Sequence, residues 1–105
     1  MSLPMRVGLG QFNELTDEMC QFIKQIGCDD FLMNTPNLPT EGGIWQSGDL
    51  AALKARADAH ELRLMALENV PVPFYVDIML GREGREQQMT NMVTTVRNMG
   101  KVGIP

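Results

Sequence analysis

The stretch Leu67-Glu68-Asn69-Val70-Pro71-Val72-Pro73 places a carboxylate and an amide at the end of an apolar run, Leu62 to Leu67, that reads as a buried strand. Proline has no N–H to give a ladder, so Pro71 and Pro73 stop further pairing. Polar groups where a strand gives out form either a turn or the rim of a site. Adjacent strand residues point to opposite faces, so only one of Glu68 and Asn69 aims inward. At the mouth of a polar pocket, Glu68 would bind hydroxyl groups or serve as a catalytic acid–base group. The plainer alternative is a carboxylate holding a neighbouring loop. Gln11 and Asn34 open the loops after two earlier strands and join Glu68 and Asn69 as substrate-binding candidates. Trp45 follows the flexible Glu41-Gly42-Gly43 segment, where an aromatic ring either walls a pocket or anchors its loop.

Other chemistry is weaker. Gly8-Leu9-Gly10 begins like a dinucleotide fingerprint, with Asp29 or Asp30 near the distance expected of a ribose-binding acid. Asn13 occupies the third glycine position, however, and Phe12 intrudes where a pyrophosphate would approach. A small-residue strand in a tight core explains the glycines better. Cys20 and Cys28 read as small buried apolar residues rather than redox partners. His60, the only histidine, falls at a helix C-terminus, where a cation suits the dipole. The helical methionines keep core spacing.

The elements that must position these groups repeat as strand then helix. Arg6–Gly10 reads as a strand, and Thr16 caps a helix whose buried face is Met19, Phe22, Ile23 and Ile26, ended by Gly27. Phe31–Met33 is a second strand. Ser47 caps a helix to about His60 with Leu50, Leu53 and Ala57 inward, and Leu62–Leu67 is the third strand. A third helix runs from about Gly84 to Met99 on a stripe of Met89, Met92, Val93 and Val96; Gly100 stops it, and Val102–Pro105 opens a fourth strand.

Such alternation predicts parallel pairing, as an open doubly wound sheet or a (β/α)8 barrel. Either fold gathers function in the loops after strands, here Gln11–Leu15, Asn34–Gln46 and Glu68–Arg82. A complete barrel takes ~250 residues. The 105 residues are therefore expected to be the N-terminal portion of a longer chain. Residues 5–105 form this partial domain, and Met1–Pro4 reads as an expression scar or disordered N-terminus.

Composition narrows the partners. The 44% apolar and 21% charged shares are those of a soluble globular domain, and the net charge of −4 disfavours nucleic acid. No apolar run is long enough for a membrane span, and the start lacks a signal peptide's pattern. Two cysteines make no disulfide framework, so a reducing, cytoplasmic location is expected.

Gly42-Gly43-Ile44-Trp45, the capped helix after it, and Leu67-Glu68-Asn69-Val70-Pro71-Val72 together resemble the N-terminal part of the mannonate dehydratase family, itself similar to xylose-isomerase-like barrels. Trp45, Glu68, Val70, Pro71 and Val72 match the family pattern. Asn69 stands where the family has serine, Pro73 where it has histidine, and Phe74 where it has glutamate. The resemblance implies the first three βα units and the start of strand four of a (β/α)8 TIM barrel. It implies a homo-oligomeric hydro-lyase of hexuronate catabolism that turns D-mannonate into 2-keto-3-deoxy-D-gluconate. Mn2+ or another divalent metal would be held by residues beyond Pro105, with none of its ligands in this segment. The alternatives are an isomerase or epimerase of the same barrel type, and a non-enzymatic interaction fragment.

Overall fold

Three short strands pair in parallel in the order β1-β2-β3: β1 Gly8–Leu9, β2 Asp30–Asn34 and β3 Arg63–Glu68. The computed structural model describes residues 5–105; the N-terminal tail, residues 1–4, lies outside the described residues. Each strand lies beside its neighbour in sequence, which is the order a β/α repeat gives when every crossover turns the same way. The 2-1-3 order of a doubly wound sheet is not formed. The result is a mixed α/β domain on a parallel sheet.

Register decides what meets what. Gly8 pairs with Asp30, and Asp30 with Arg63, at one end; Asn34 pairs with Glu68 at the other. Between them β3 carries one extra residue, Met65, because Phe31 pairs with Leu64 and Leu32 already with Ala66. Such a bulge bends the strand locally. Phe31, Met33 and Leu64 are buried in the core. The other face of the sheet is tight at its glycines: a Cβ on Gly8 would stand 2.5 Å from Met65 Sδ. Gly8 and Gly10 thus serve close packing, as expected.

Helix α1 spans Asp17–Gln25 and starts as the sequence indicates, with Thr16 accepting the Met19 N–H at 3.1 Å and Asp17 and Glu18 in the first turn. Gly27 turns the chain out at φ 86°. Its buried face differs from expectation. Cys20 and Ile23 are the buried residues and Met19 packs beside them, while Phe22 and Ile26 are about half exposed. The core, which includes Leu15, meets the helix on its Cys20 and Ile23 side, so the apolar stripe is wider than what covers it. Helix α2, Ser47–Ala59, buries Leu50, Leu53 and Ala57 as predicted. Its N-cap position is Gln46 rather than Ser47, and no side chain caps it.

The segment after β3, expected to be a loop, holds a 3-10 turn at Val72–Phe74 and a short helix, α3, at Val76–Leu80. Gln88 creates that start: its Oε1 accepts the Asp77 and Ile78 N–H groups at 2.8 and 3.2 Å, and its Nε2 donates to the Pro73 carbonyl at 2.9 Å. Long-range capping of this kind leaves no local signature. Helix α4 is longer than predicted, Arg85–Val102. Gly100 continues the helix and Gly103, at φ 82°, ends it. Residues 102–105 consequently form no strand: Val102 is helical, and Ile104 is buried with its N–H donated to the Met99 carbonyl. The predicted stripe also shifts. Met89, Val93 and Val96 are exposed, and the inward face is Met92, Thr95, Met99 and Val102. Thr95 is the polar residue that hides this face from a hydrophobic reading; its Oγ1 accepts the Trp45 N–H at 3.3 Å.

At the pole opposite the strand ends, Asp30 is buried between Arg6 at 2.7 Å and Arg63 at 3.5 Å, ion-paired but without an aligned hydrogen bond. Nearby, Lys24 Nζ donates to Asp29 Oδ1 at 2.8 Å. That hydrogen bond, with the attraction of the ammonium, holds the Asp29 carboxyl below its usual range and raises Lys24 above its own. The lowered Asp29 contributes stability above its unfolded pKa, lost as pH falls through the folded value. The raised Lys24 contributes stability below its unfolded pKa, lost as pH rises through the folded value. Wild type and Lys24→Met should therefore differ in urea midpoint at neutral pH. The difference should vanish well below about pH 4 and above about pH 10.4. A difference that persists in acid would mean the pair contributes nothing.

Candidate functional site

At the C-terminal end of the sheet, four side chains from three successive strand ends form one directed chain of hydrogen bonds. Asn69 Nδ2 donates to Asn34 Oδ1 at 2.9 Å, Asn34 Nδ2 to Gln11 Oε1 at 3.3 Å, and Gln11 Nε2 to Glu68 Oε2 at 2.6 Å. Asn69 opens the run as a donor, Asn34 and Gln11 each accept from one side and donate to the other, and the run terminates on the network's only charge, Glu68. A charge-assisted bond of this length is the strongest link in it. The register explains the assembly, because Asn34 and Glu68 are paired residues at the last rung of β2 and β3.

The backbone locks the same corner. Thr35 N–H donates to the Glu68 carbonyl at 2.7 Å, and Asn34 N–H to the Phe12 carbonyl at 3.1 Å. Asn69 sits at φ 55° and Thr35 at φ 42°. Asparagine tolerates the left-handed region; a β-branched threonine does not, so Thr35 is strained. Its hydroxyl donates to Asn34 Oδ1 at 3.3 Å, which adds a fifth member to the network. Strain held in place by surrounding bonds gathers at functional corners. No local pattern marks Thr35, because a threonine before a proline reads simply as turn. A hollow lined by Gln11, Phe12, Asn13 and Asn34 opens beside these groups.

Four of the five candidates, Gln11, Asn34, Glu68 and Asn69, are thus brought together. Trp45 is not among them. Its ring is buried in the core, edge-on to Phe74 with centroids 5.8 Å apart, which is the anchoring position and not an open wall. Phe74 and Pro73 also lie outside the network: the first is buried, and the second gives its carbonyl to Gln88. His60 bonds Asp17 at 3.0 Å, and Cys20 and Cys28 are buried free thiols. Burial pushes the Cys20 thiol above its usual range, so it is a poor nucleophile.

The residues present do not fit a divalent metal. Glu68 is the one ionisable group of the network, and no cluster of three or more His, Cys, Asp or Glu side chains that could hold an ion occurs among the described residues. No helix among them is long and apolar enough to cross a membrane.

Gly10 sets the position of Gln11. A Cβ there would lie 2.7 Å from both Cγ and Cδ1 of Leu32. Gly10→Ala should cost about 1–3 kcal/mol through this overpacking and displace Gln11 from Glu68. Urea denaturation gives the cost, and the Gln11 side-chain amide resonance reports the displacement. An unchanged midpoint and resonance would show that Leu32 simply swings away.

A family model described as D-mannonate dehydratase (UxuA) matches residues 9–105. Mannonate dehydratase 2 of Halalkalibacterium halodurans is 30% identical over 100 residues, covering 95% of this chain and 28% of that protein. The mannonate dehydratase of Streptococcus equi subsp. zooepidemicus is 33% identical over 64 residues, 61% of this chain and 17% of its own. That of Streptococcus agalactiae serotype V is 35% identical over 63 residues, 60% of this chain and 18% of its own. The chain spans less than a third of the length of these curated relatives.

Proposed function

Because the chain belongs to the D-mannonate dehydratase (UxuA) family, we propose that it is part of a sugar-acid hydro-lyase converting D-mannonate to 2-keto-3-deoxy-D-gluconate. The observation that supports this reading is the network of Gln11, Asn34, Glu68 and Asn69 across three strand ends. It is a polar platform, suited to binding a hydroxylated substrate at the pole where α/β enzymes work.

The reaction removes a proton from the carbon beside the carboxylate and a hydroxyl from the next carbon, which leave together as water. The enol so formed becomes the keto product. These residues bind and orient in that scheme: amide N–H groups donate to substrate oxygens, and Glu68 accepts from substrate hydroxyls. Mn2+ or another divalent ion belongs to the proposal, held by residues outside the 105.

The same reading makes the sheet part of a closed (β/α)8 barrel. Its support is the pair of exposed apolar strips, Phe22 on α1 with Ile26 at its C-cap, and Met89, Val93 and Val96 on α4, which further helices or subunits would cover. Buried free thiols are in keeping with a cytoplasmic location, and a homo-oligomer is part of the same proposal. The test is to assay the complete enzyme with D-mannonate and Mn2+ beside a panel of ketoses. Formation of the keto-deoxy acid is expected. Ketose isomerisation without mannonate turnover would replace the hydro-lyase by an isomerase.

A further inference from the structure

We infer that the network at the strand ends is a polyol subsite: it receives the hydroxylated tail of the substrate and not its carboxylate. This rests on the sugar-acid reading above and adds an orientation to it. Four observations carry it. First, the network's only charge is negative, and among the described residues no lysine, arginine or histidine nitrogen lies within 4.0 Å of the Glu68 carboxylate. An anionic head would meet like charge with nothing to neutralise it.

Second, the unused valences suit hydroxyls. Glu68 Oε1 has no side-chain donor, and each of Gln11, Asn34 and Asn69 spends one amide N–H inside the network, leaving its second free. Acceptor and donors therefore stand side by side. A hydroxyl gives a proton to one and takes one from the other, whereas a carboxylate only accepts. Third, the direction of the chain is fixed by its charged end, so Glu68 keeps its acceptor character. Fourth, a hollow lined by Gln11, Phe12, Asn13 and Asn34 provides space beside two members of the network, Gln11 and Asn34.

The test follows the side-chain amide resonances of Gln11, Asn34 and Asn69 in the labelled chain during titration with D-mannitol, D-mannonate and acetate. Mannitol and mannonate should shift them saturably and alike, and acetate should not. Glu68→Gln should weaken mannitol binding roughly tenfold to a hundredfold through loss of a charged acceptor. Gln11→Ala, in an exposed loop, gives a second measure should Glu68→Gln fail to fold. Shifts with acetate and mannonate but not mannitol would overturn the subsite, as would no response to mannitol. Turnover by the complete enzyme separates the two readings. Mannitol binding without mannonate turnover defeats the dehydratase and keeps the subsite. Turnover indifferent to removing the terminal hydroxyl of mannonate defeats the subsite and keeps the dehydratase.

Discussion

Trp45→Ala should remove about 3–5 kcal/mol of stability, the range for truncating a fully buried large aromatic. A domain of this size has only about 5–15 kcal/mol in total, so much of the chain would sit near its unfolding threshold at 25 °C. The buried ring and its aromatic contact set the size of the effect, while the two backbone bonds of Trp45 survive the substitution. The ring is 1% exposed and meets Phe74 edge-on at an interplanar angle of 61°. The Trp45 N–H donates to Thr95 Oγ1, and its carbonyl accepts from Asn98 Nδ2 at 2.8 Å. One residue therefore ties the loop after β2 to α4. Its indole N–H is buried without a hydrogen-bond partner, so Trp45→Phe should recover most of the loss despite the smaller ring. Because this is the chain's single tryptophan, circular dichroism rather than fluorescence should follow the urea transition. A loss under about 1 kcal/mol would show that the ring leaves the core in solution and would return it to the pocket wall.

Glu68→Gln should lower kcat/KM for D-mannonate roughly tenfold to a hundredfold in the complete enzyme, the equivalent of about 1.5–3 kcal/mol for one charged hydrogen bond. The substitution keeps shape and loses charge. Gln11 then faces a neutral acceptor in place of the carboxylate it now reaches at 2.6 Å. If Glu68 holds hydroxyls equally in ground and transition states, the change appears in KM; if it acts as an acid or base, it appears in kcat. Metal content should not change, since the network supplies no set of ligands. Unchanged kinetics with a lower melting temperature would reduce Glu68 to a tether for the Thr35 loop, whose N–H its carbonyl already binds.

The departures at Asn69, Pro73 and Phe74 become intelligible in three dimensions. Asn69 adopts a left-handed backbone that asparagine takes more readily than most residues, and its side chain completes the amide run. Phe74 is committed to the core against Trp45, and Pro73 to the turn that Gln88 pins. Positions 73 and 74, after β3, serve the turn and the core in this chain and carry no charged pair.

Local physics made part of this protein legible from its residues alone. Thr16 caps α1 and Gly27 ends it, because both effects act within one helical turn. Leu50, Leu53 and Ala57 line the buried face of α2 by spacing alone, and parallel pairing followed from the alternation of elements. The same reading named Gln11, Asn34, Glu68 and Asn69, since each begins a segment where apolar periodicity stops. Other features depended on groups far apart in sequence. Gln88 creates α3 from eleven residues away, and Thr95 turns the inner face of α4 toward Trp45 fifty residues before it. The union of the four polar residues into one network required the register that sets Asn34 opposite Glu68, and a bulge at Met65 to reach it. Sequence spacing determines which face a residue takes on its own element; only packing between elements determines which faces are covered and which side chains meet.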